Sequence, residues 1–229
     1  MKKVIAMDGP SGAGKSTIAK LVARELGFEY LDTGALYRAV GVNLVRLGMK
    51  EDASDEELIP ALKKTKVEFR KGLILLNGED VSREIRSPEA GHYASVFSAR
   101  KPVREHLMSV QRDAADHSAL VAEGRDMTTV VFPAAHMKFY LDASVEERAR
   151  RRTLELISRG FEIDAERIRL DIMERDARDS GRDIAPLKKA DDAHLIDSTG
   201  LSIDDVFRKI LAIIKKTTMP DGEKQDPDI

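Results

Sequence analysis

The chain has 229 residues, 42% of them hydrophobic, which is enough for one sizeable core and a satellite domain. It contains no cysteine, so a disulfide framework and thiolate metal sites are excluded. Its 38 basic residues are balanced by 40 acidic ones, which disfavours a bulk nucleic-acid binder. No apolar run reaches the roughly 18 residues of a membrane span, and no signal-peptide pattern is present. We expect a cytoplasmic monomer with no membrane or stable nucleic-acid partner.

Five short apolar runs are typical of buried strands, and segments with helical periodicity separate them. The runs cover residues 4–7, 29–31, 119–122, 137–141 and 194–196. This alternation predicts an α/β fold with a parallel sheet. Several helix starts carry capping patterns: Ser54 with Glu57, Ser144 with Glu147, Ser202 with Asp205, and Ser87 before Pro88.

The first run leads into the glycine-rich segment DGPSGAGKST at residues 8–17. A Gly-x-x-x-x-Gly-Lys-Ser spacing after a strand and before a helix predicts a phosphate-binding loop. Glycines let backbone N–H groups turn toward a phosphate, Lys15 reaches the β- and γ-phosphates, and the Ser16 hydroxyl is a ligand for Mg²⁺. The predicted nucleotide-binding residues are Gly9, Pro10, Ser11, Gly12, Ala13, Gly14, Lys15, Ser16 and Thr17.

Two further segments place arginine beside carboxylate just past a predicted strand. In open α/β sheets, ligands bind beyond the carboxyl ends of the strands. We therefore expect a second anionic ligand facing the phosphate loop, although a capping aspartate and a surface arginine would also explain each segment. The residues are Asp32, Thr33, Tyr37 and Arg38 in LDTGALYR, and Arg125 and Asp126 in AEGRD.

The stretch between the second and third runs is too long for a single crossover helix. It contains VEFRKGLILLNGEDVS, in which Asn77-Gly78 separates two strand-like segments. Asn-Gly between such segments is the strongest short hairpin signal. We expect a hairpin-bearing insertion at roughly residues 50–90.

Two charged stretches follow the fourth run. The first contains Arg148 and residues 150–152, which we interpret as a mostly exposed helix face. The charged residues of the second stretch have the i, i+3, i+4, i+7 spacing that places them on one face of a helix. This face is either a solvated surface or an arginine lid that moves on Gly160 and Gly181. Its residues are Arg175, Arg178, Asp179 and Arg182.

The phosphate loop alone leaves GTPases, helicases and small kinases open. The sequence lacks the Asn-Lys-x-Asp guanine motif, which argues against a GTPase. The polar, proline-containing segment at residues 217–229 predicts a disordered tail.

The motifs, taken in order, resemble those of bacterial cytidylate kinases, the (d)CMP kinases of the nucleoside-monophosphate kinase group. They are DGPSGAGKST at 8–17, LDTGALYR at 31–38, NGEDV and EIRSPE in the insertion, EGRDMTTVVFP at 123–133 and ERDARDSGR at 174–182. The resemblance implies an α/β, three-layer P-loop kinase fold with a central five-stranded parallel sheet, a monophosphate-binding insertion and a short lid. It implies core segments at 1–36, 93–157 and 186–217, the insertion at 37–92, the lid at 158–185 and the tail at 218–229.

The same resemblance implies transfer of the γ-phosphate of ATP to CMP or dCMP, with Mg²⁺. It makes Arg38 and Arg125 the acceptor-phosphate ligands and Asp179 the ribose ligand. The implied catalytic residues are Lys15, Arg125, Arg175 and Arg182. The implied substrate-binding residues are Asp32, Thr33, Tyr37, Arg38, Ser95, Arg104, Arg125, Asp126, Arg175, Arg178, Asp179 and Arg182, with Ser95, Arg104 and Asp126 at the base.

Two alternatives stay open: a P-loop kinase for UMP or another small acceptor, and a nucleotide-dependent, RNA-associated switch protein. The chain also departs from the family pattern at three positions. Thr33 stands where serine is common, Glu123 where some relatives have aspartate, and Thr128 where glycine is common. We expect the Thr128 side chain to lie near the acceptor site.

Overall fold

The structure is a computed structural model that describes residues 3–70, 72–158, 160 and 162–218. Its central sheet has five parallel strands in the order β2-β6-β1-β7-β8. They are β1 (Val4–Asp8), β2 (Glu29–Asp32), β6 (Leu120–Glu123), β7 (Met137–Asp142) and β8 (His194–Asp197). All five predicted strands are confirmed, each end within one residue.

Eight helices flank or extend this sheet in the described part of the chain. They are α1 (Lys15–Leu26), α2 (Thr33–Arg46), α3 (Asp55–Lys63), α4 (Pro88–Phe97), α5 (Lys101–His117), α6 (Val145–Ser158), α7 (Ala165–Ser180) and α8 (Ile203–Thr218). A 3₁₀ turn covers Glu84–Arg86 and a π-helical turn covers Met127–Val131. None of these helices is long and apolar enough to cross a membrane within the described residues.

The central strand β1 is buried on both faces of the sheet, which gives the predicted three-layer architecture. Val4 and Ala6 of β1 belong to one apolar core, shared with α2 and α5. Ile5 and Met7 belong to the other, shared with α1 and α8. Successive side chains of a strand point to opposite faces, so a parallel strand covered on both sides is apolar throughout.

A second, three-stranded antiparallel sheet lies between β2 and β6 in the chain. It consists of β3 (Val67–Arg70), β4 (Leu73–Leu76) and β5 (Glu79–Asp80). Asn77 and Gly78 turn between β4 and β5 with φ of 52° and 89°. Positive φ at both turn residues suits the right-handed twist of a hairpin, so the predicted Asn-Gly hairpin is confirmed.

Three of the four predicted helix starts are confirmed, and the fourth, at Ser144, forms only one of the two hydrogen bonds of a capping box. The Ser54–Glu57 box is complete, Ser87 caps α4, and Ser202 exchanges hydrogen bonds with Asp205. The Ser144 hydroxyl accepts from the N–H of Glu147, but the Ser144 N–H donates to the Thr199 hydroxyl. The Glu147 carboxylate accepts from Arg150 and Arg151 instead.

The prediction of a mostly exposed face for the first arginine run is wrong, because only Arg150 of its four arginines is exposed. Arg150 is exposed as expected, but Arg148 is buried and Arg151 is half-buried. Both lie against the phosphate loop: Arg148 donates to the Ser11 carbonyl at 3.1 Å and Arg151 to the Ala13 carbonyl at 3.4 Å. Loop carbonyls and carboxylates satisfy the buried guanidinium groups, which a count of charges along the helix does not reveal.

The predicted common helix face also requires a correction. Helix α7 ends at Ser180 and Gly181 is its C-cap, so Arg182 lies beyond the helix. Arg182 nevertheless reaches Asp179 and the Ser98 hydroxyl. Of the predicted tail at 218–229, residues 219–229 lie outside the described residues.

Candidate active site

A cleft of about 1480 Å³ opens beyond the carboxyl ends of β1, β2 and β6. The phosphate loop and helix α7 both line this cleft. All the site residues predicted from the sequence line this cleft except Gly9 and Pro10, which form the entry to the loop. One cleft therefore contains both the predicted nucleotide loop and the predicted second anion site.

The glycines of the loop occupy backbone positions that other residues rarely adopt. Gly9, Gly12 and Gly14 have φ of 146°, 79° and 94°. A Cβ atom on Gly9 would lie 1.9 Å from the Leu141 carbonyl oxygen. The loop ends at the N-terminus of α1, where free N–H groups and the helix dipole favour an anion. The geometry suits a polyphosphate.

Lys15 is buried at the base of the loop, with 5% of its surface exposed. Its ammonium group donates to the Pro10 carbonyl at 2.7 Å. Burial, together with the positive charge of Arg125, lowers the pKa of Lys15 to about 7. An anion beside this amine raises its pKa again, because an opposite charge favours the protonated form.

Ser16 and Glu123 form an oxygen-rich corner next to the loop. The Ser16 hydroxyl donates to Glu123 Oε1, and the Tyr30 hydroxyl donates to the same oxygen at 2.8 Å. A hydroxyl beside a carboxylate fits Mg²⁺, which binds proteins through one or two oxygen ligands and takes the rest from phosphates and water. Ser16 was predicted from the sequence as a metal ligand, whereas Glu123 was not. Its place at the end of a strand, directly before Gly-Arg-Asp, was the available signal.

Three arginines surround the carboxylate of Asp179, which is 1% exposed. Arg125 donates to Asp179 Oδ2 at 2.7 Å, Arg182 donates to Oδ1, and Arg175 lies 4.0 Å from Oδ2. We call Arg125, Arg175, Asp179 and Arg182 the arginine cluster. Burial raises the pKa of Asp179, but the arginine charges outweigh it and the net pKa is lowered. Arg178 is exposed and lines the cleft.

Burial, with Arg125 as the next cause, lowers the pKa of Arg175 to about 10. Burial is the larger cause of the lowered pKa, and the positive charges of Arg125, Arg38 and Arg182 add to it, while Asp179 acts in the opposite direction. An added anion is therefore favoured at this point of the cleft.

A second polar group lies deeper in the cleft. Arg104 and Asp126 form an ion pair with both side chains nearly fully buried. Arg104 also donates to the Ser98 carbonyl at 3.1 Å, and its guanidinium lies 5.7 Å from the centre of the Tyr37 ring. The Ser95 hydroxyl is buried and has no hydrogen-bond partner among the described residues. Buried polar atoms are normally hydrogen-bonded, so Ser95 indicates a ligand that supplies the partner.

Asp32 lines the cleft and contacts three neighbouring groups. Its carboxylate caps α2 through the Ala35 N–H and pairs with Arg38 at 2.9 Å and with Arg86 at 3.2 Å. Arg86 is a cleft residue that sequence analysis missed. The Thr33 hydroxyl is buried and donates to the Glu123 carbonyl at 2.7 Å. Thr33 thus links the ends of two strands.

The Thr128 side chain does not line the cleft. Its hydroxyl donates to Asp8 Oδ2 at 2.6 Å. Asp8 also accepts from the N–H groups of Thr128 and Met127 at 2.7 and 2.9 Å. Burial raises the pKa of Asp8 to about 6. The three bonds fasten the turn that follows Arg125 and Asp126 to the end of β1.

Comparison with known proteins decides the family. The family profile described as cytidylate kinase matches residues 5–216. This chain belongs to the cytidylate kinase family. The match to this family runs from β1 into α8 and includes every residue of the cleft named above.

Curated cytidylate kinases agree with this assignment. The protein from Thermosipho melanesiensis is 50% identical over 212 residues, which cover 93% of this chain and 96% of the relative. The protein from Thermodesulfovibrio yellowstonii is 49% identical over 215 residues, which cover 92% and 97%. The family indicated by the motifs is therefore confirmed.

A solved structure supports the fold. An uncharacterized protein from Eubacterium ventriosum superposes with a TM-score of 0.53 at 12% identity, over 94% of this chain and 99% of that chain. At this identity the likeness concerns the α/β fold alone.

Proposed function

We propose that this member of the cytidylate kinase family is a phosphotransferase that moves the γ-phosphate of ATP to CMP and dCMP. The observation that carries the proposal is the pairing of two sites in one cleft. A phosphate loop and a buried arginine cluster line the same cleft, together with the buried Arg104–Asp126 pair. We expect the enzyme to act as a cytoplasmic monomer on free nucleotides.

For the donor side, the loop N–H groups and Lys15 hold the β- and γ-phosphates. Ser16 and Glu123 would hold Mg²⁺, which when bound offsets the charge of the transferring phosphoryl group. The lowered pKa of Lys15 fits this role, since a phosphate restores the proton that burial makes costly.

For the acceptor side, Arg38 and Arg125 bind the phosphate of CMP, while Arg175 and Arg182 stabilise charge on the group in transfer. The second pKa of a phosphomonoester is about 6, so the attacking oxygen is largely ionised at pH 7. The reaction therefore requires no general base. The insertion at 37–92 and the lid at 158–185 close over the two substrates and exclude water.

Ser95, Arg104 and Asp126 match the polar edge of cytosine. Cytosine offers an amino donor at N4 beside the N3 and O2 acceptors. Asp126 supplies an acceptor and Arg104 supplies donors. The Ser95 hydroxyl, which has no partner within the described part of the chain, supplies either. Asp179, within reach of Arg125 and Arg182, is the proposed ribose ligand.

An acceptor panel tests the proposal. ADP release is measured with ATP and Mg²⁺ against CMP, dCMP, UMP and shikimate. We expect rapid turnover with CMP and dCMP and much slower turnover with UMP. A faster reaction with UMP or shikimate would establish a different small-molecule kinase. Slow hydrolysis that no acceptor accelerates would establish a nucleotide-dependent switch.

A further inference from the structure

We propose that the ion pair between Arg148 and Asp176 couples the phosphate loop to helix α7, and that both are positioning residues for phosphoryl transfer. The inference rests on the proposed kinase function but concerns residues outside the arginine cluster and the base pocket. Neither residue was singled out as functional by its sequence pattern.

Arg148 is anchored on three sides. It lies on α6 and is 4% exposed. Its Nε donates to the Ala143 carbonyl at 2.9 Å. Its Nη1 donates both to the Ser11 carbonyl, at 3.1 Å, and to Asp176 Oδ2, at 2.5 Å. Nη1 of Arg148 thus links Ser11 in the phosphate loop to the Asp176 carboxylate on α7.

The contact between Arg148 and the loop is close along the backbone as well. A Cβ atom on Gly12 would lie 3.0 Å from the Cβ atom of Arg148 and 3.2 Å from its carbonyl oxygen. Little room therefore remains for the loop to move without α6. A displacement of Gly12 or Ser11 is transmitted to the Arg148 guanidinium.

Asp176 lies on α7 beside Arg175 and Asp179, the two members of the arginine cluster that this helix carries. It follows Arg175 directly and precedes Asp179 by three residues, about one helical turn. Its Oδ1 atom is buried and has no hydrogen-bond partner among the described residues. The bond from Arg148 to Oδ2 is therefore the attachment that holds this carboxylate against the loop.

This arrangement makes the position of the arginine cluster depend on the loop. The charges that stabilise phosphoryl transfer must be placed before the reaction, because positioning and electrostatics supply most of the catalysis. Without the ion pair, α7 keeps its contact to Arg125 and its packing on α6, but loses the hydrogen-bonded link through Arg148 to the phosphate loop. The expected result is slower transfer with unchanged base selectivity.

The first test is steady-state kinetics of Asp176→Asn beside Glu166→Gln. Glu166 lies on the same helix and pairs with Arg169 at 2.6 Å, but 62% of its side chain is exposed. We expect Asp176→Asn to lower kcat about tenfold, with an unchanged CMP-to-UMP preference, because small misplacements of catalytic groups cost up to about 10²-fold. Glu166→Gln retains the wild-type kcat. Equal kcat values in the two variants would overturn the proposal.

The second test is a double-mutant cycle. Arg148→Met, Asp176→Asn and their combination are compared, and coupling predicts that the double variant is no slower than the slower single variant. Additive losses would show that the two residues act separately. If Arg148→Met does not fold, Asp176→Glu replaces it. Glutamate keeps the charge and is expected to recover part of kcat, whereas a rate no better than that of Asp176→Asn contradicts the coupling.

The third test does not depend on turnover. ADP is added without an acceptor, and amide hydrogen exchange is followed in residues 165–180. We expect ADP to slow exchange there in the wild type and in Glu166→Gln, but not in Asp176→Asn. Equal protection in all three proteins would refute the coupling. A wild-type enzyme that fails to phosphorylate CMP would instead refute the proposed function, so the two failures are distinct.

Discussion

Replacing Asp126 by asparagine separates the two tasks that its carboxylate performs. Asp126 is 2% exposed and is paired with Arg104, which is 3% exposed. Asparagine has the same shape and keeps one oxygen that accepts from Arg104, but it removes the negative charge. Removing one partner of a buried ion pair costs about 3–5 kcal/mol, and the retained hydrogen bond offsets about 1 kcal/mol of this.

We therefore expect Asp126→Asn to lower the free energy of unfolding by about 2–4 kcal/mol. At about 2–4 °C per kcal/mol for a chain of this size, the thermal midpoint falls by roughly 4–16 °C. Asp113→Asn is the matched control, because Asp113 is exposed on α5. It should leave the midpoint unchanged when both are followed by calorimetry.

The effect on activity comes from base recognition. The N4 amine of cytosine donates to a carboxylate, whereas O4 of uracil is repelled by one. A site built to hydrogen-bond a polar group rejects an analogue that lacks it by up to about 10⁴-fold. With the charge removed and an amide able to donate, we expect kcat/KM for CMP to fall at least tenfold, about 1.4 kcal/mol, and the gap to UMP to narrow.

The decisive measurement is kcat/KM for CMP and UMP in wild type and Asp126→Asn, at a temperature where both are folded. An unchanged ratio, with both rates lowered together, would refute the assignment. Asp126 would then act only by holding Arg104, and the base would be recognised by other groups. An unchanged thermal midpoint would refute the structural half of the argument.

Lys15→Met should abolish transfer without unfolding the protein. Because the pKa of Lys15 is about 7 here and rises beside phosphate, wild-type ADP binding near pH 7.5 should take up a proton that this variant does not, and affinity should weaken as pH rises. Calorimetry in two buffers of different ionisation enthalpy measures the difference, and equal uptake in both proteins would contradict it. Gly9→Ala should lower the thermal midpoint sharply, because its Cβ meets the Leu141 carbonyl oxygen at 1.9 Å; a wild-type midpoint would show that the loop relaxes freely. Glu123→Gln should raise about tenfold the Mg²⁺ concentration at which phosphoryl transfer reaches half of its maximal rate, because a charged ligand is replaced by a neutral one. Measuring the affinity of the ADP-bound enzyme for Mn²⁺ checks this prediction. An affinity equal to that of the wild type would show that Glu123 is not a metal ligand.

The sheet and the hairpin could be predicted because each depends on local pattern. Continuous apolar runs located all five central strands, and Asn77-Gly78 located the turn between β4 and β5. The cleft residues followed from their positions after strands, together with the family resemblance. Each of these signals is carried by residues that are close together in the chain, so it can be recognised before the fold is known.

The errors involve partners that are distant in the chain. Arg148 was assigned to an exposed face because nothing in its helix indicates a bond to Ser11, 137 positions earlier. The bond between Thr128 and Asp8 was not foreseen either, because it spans 120 positions. Glu123 was noted as a substitution and not as a ligand, since its hydrogen bond to Ser16 exists only once β6 lies beside β1.

The burial of Asp179 among arginines has a consequence for charge balance. Three guanidinium groups and one carboxylate leave the arginine cluster with a charge of +2. A phosphomonoester carries a charge of about −1.5 to −2 at pH 7, so one such dianion brings the group close to electroneutrality. A monoanion leaves an excess positive charge in a place where uncompensated charge is costly, and a product diphosphate leaves an excess negative one. In the proposed reaction, Asp179 would therefore match the charge of the arginine cluster to that of a phosphomonoester dianion.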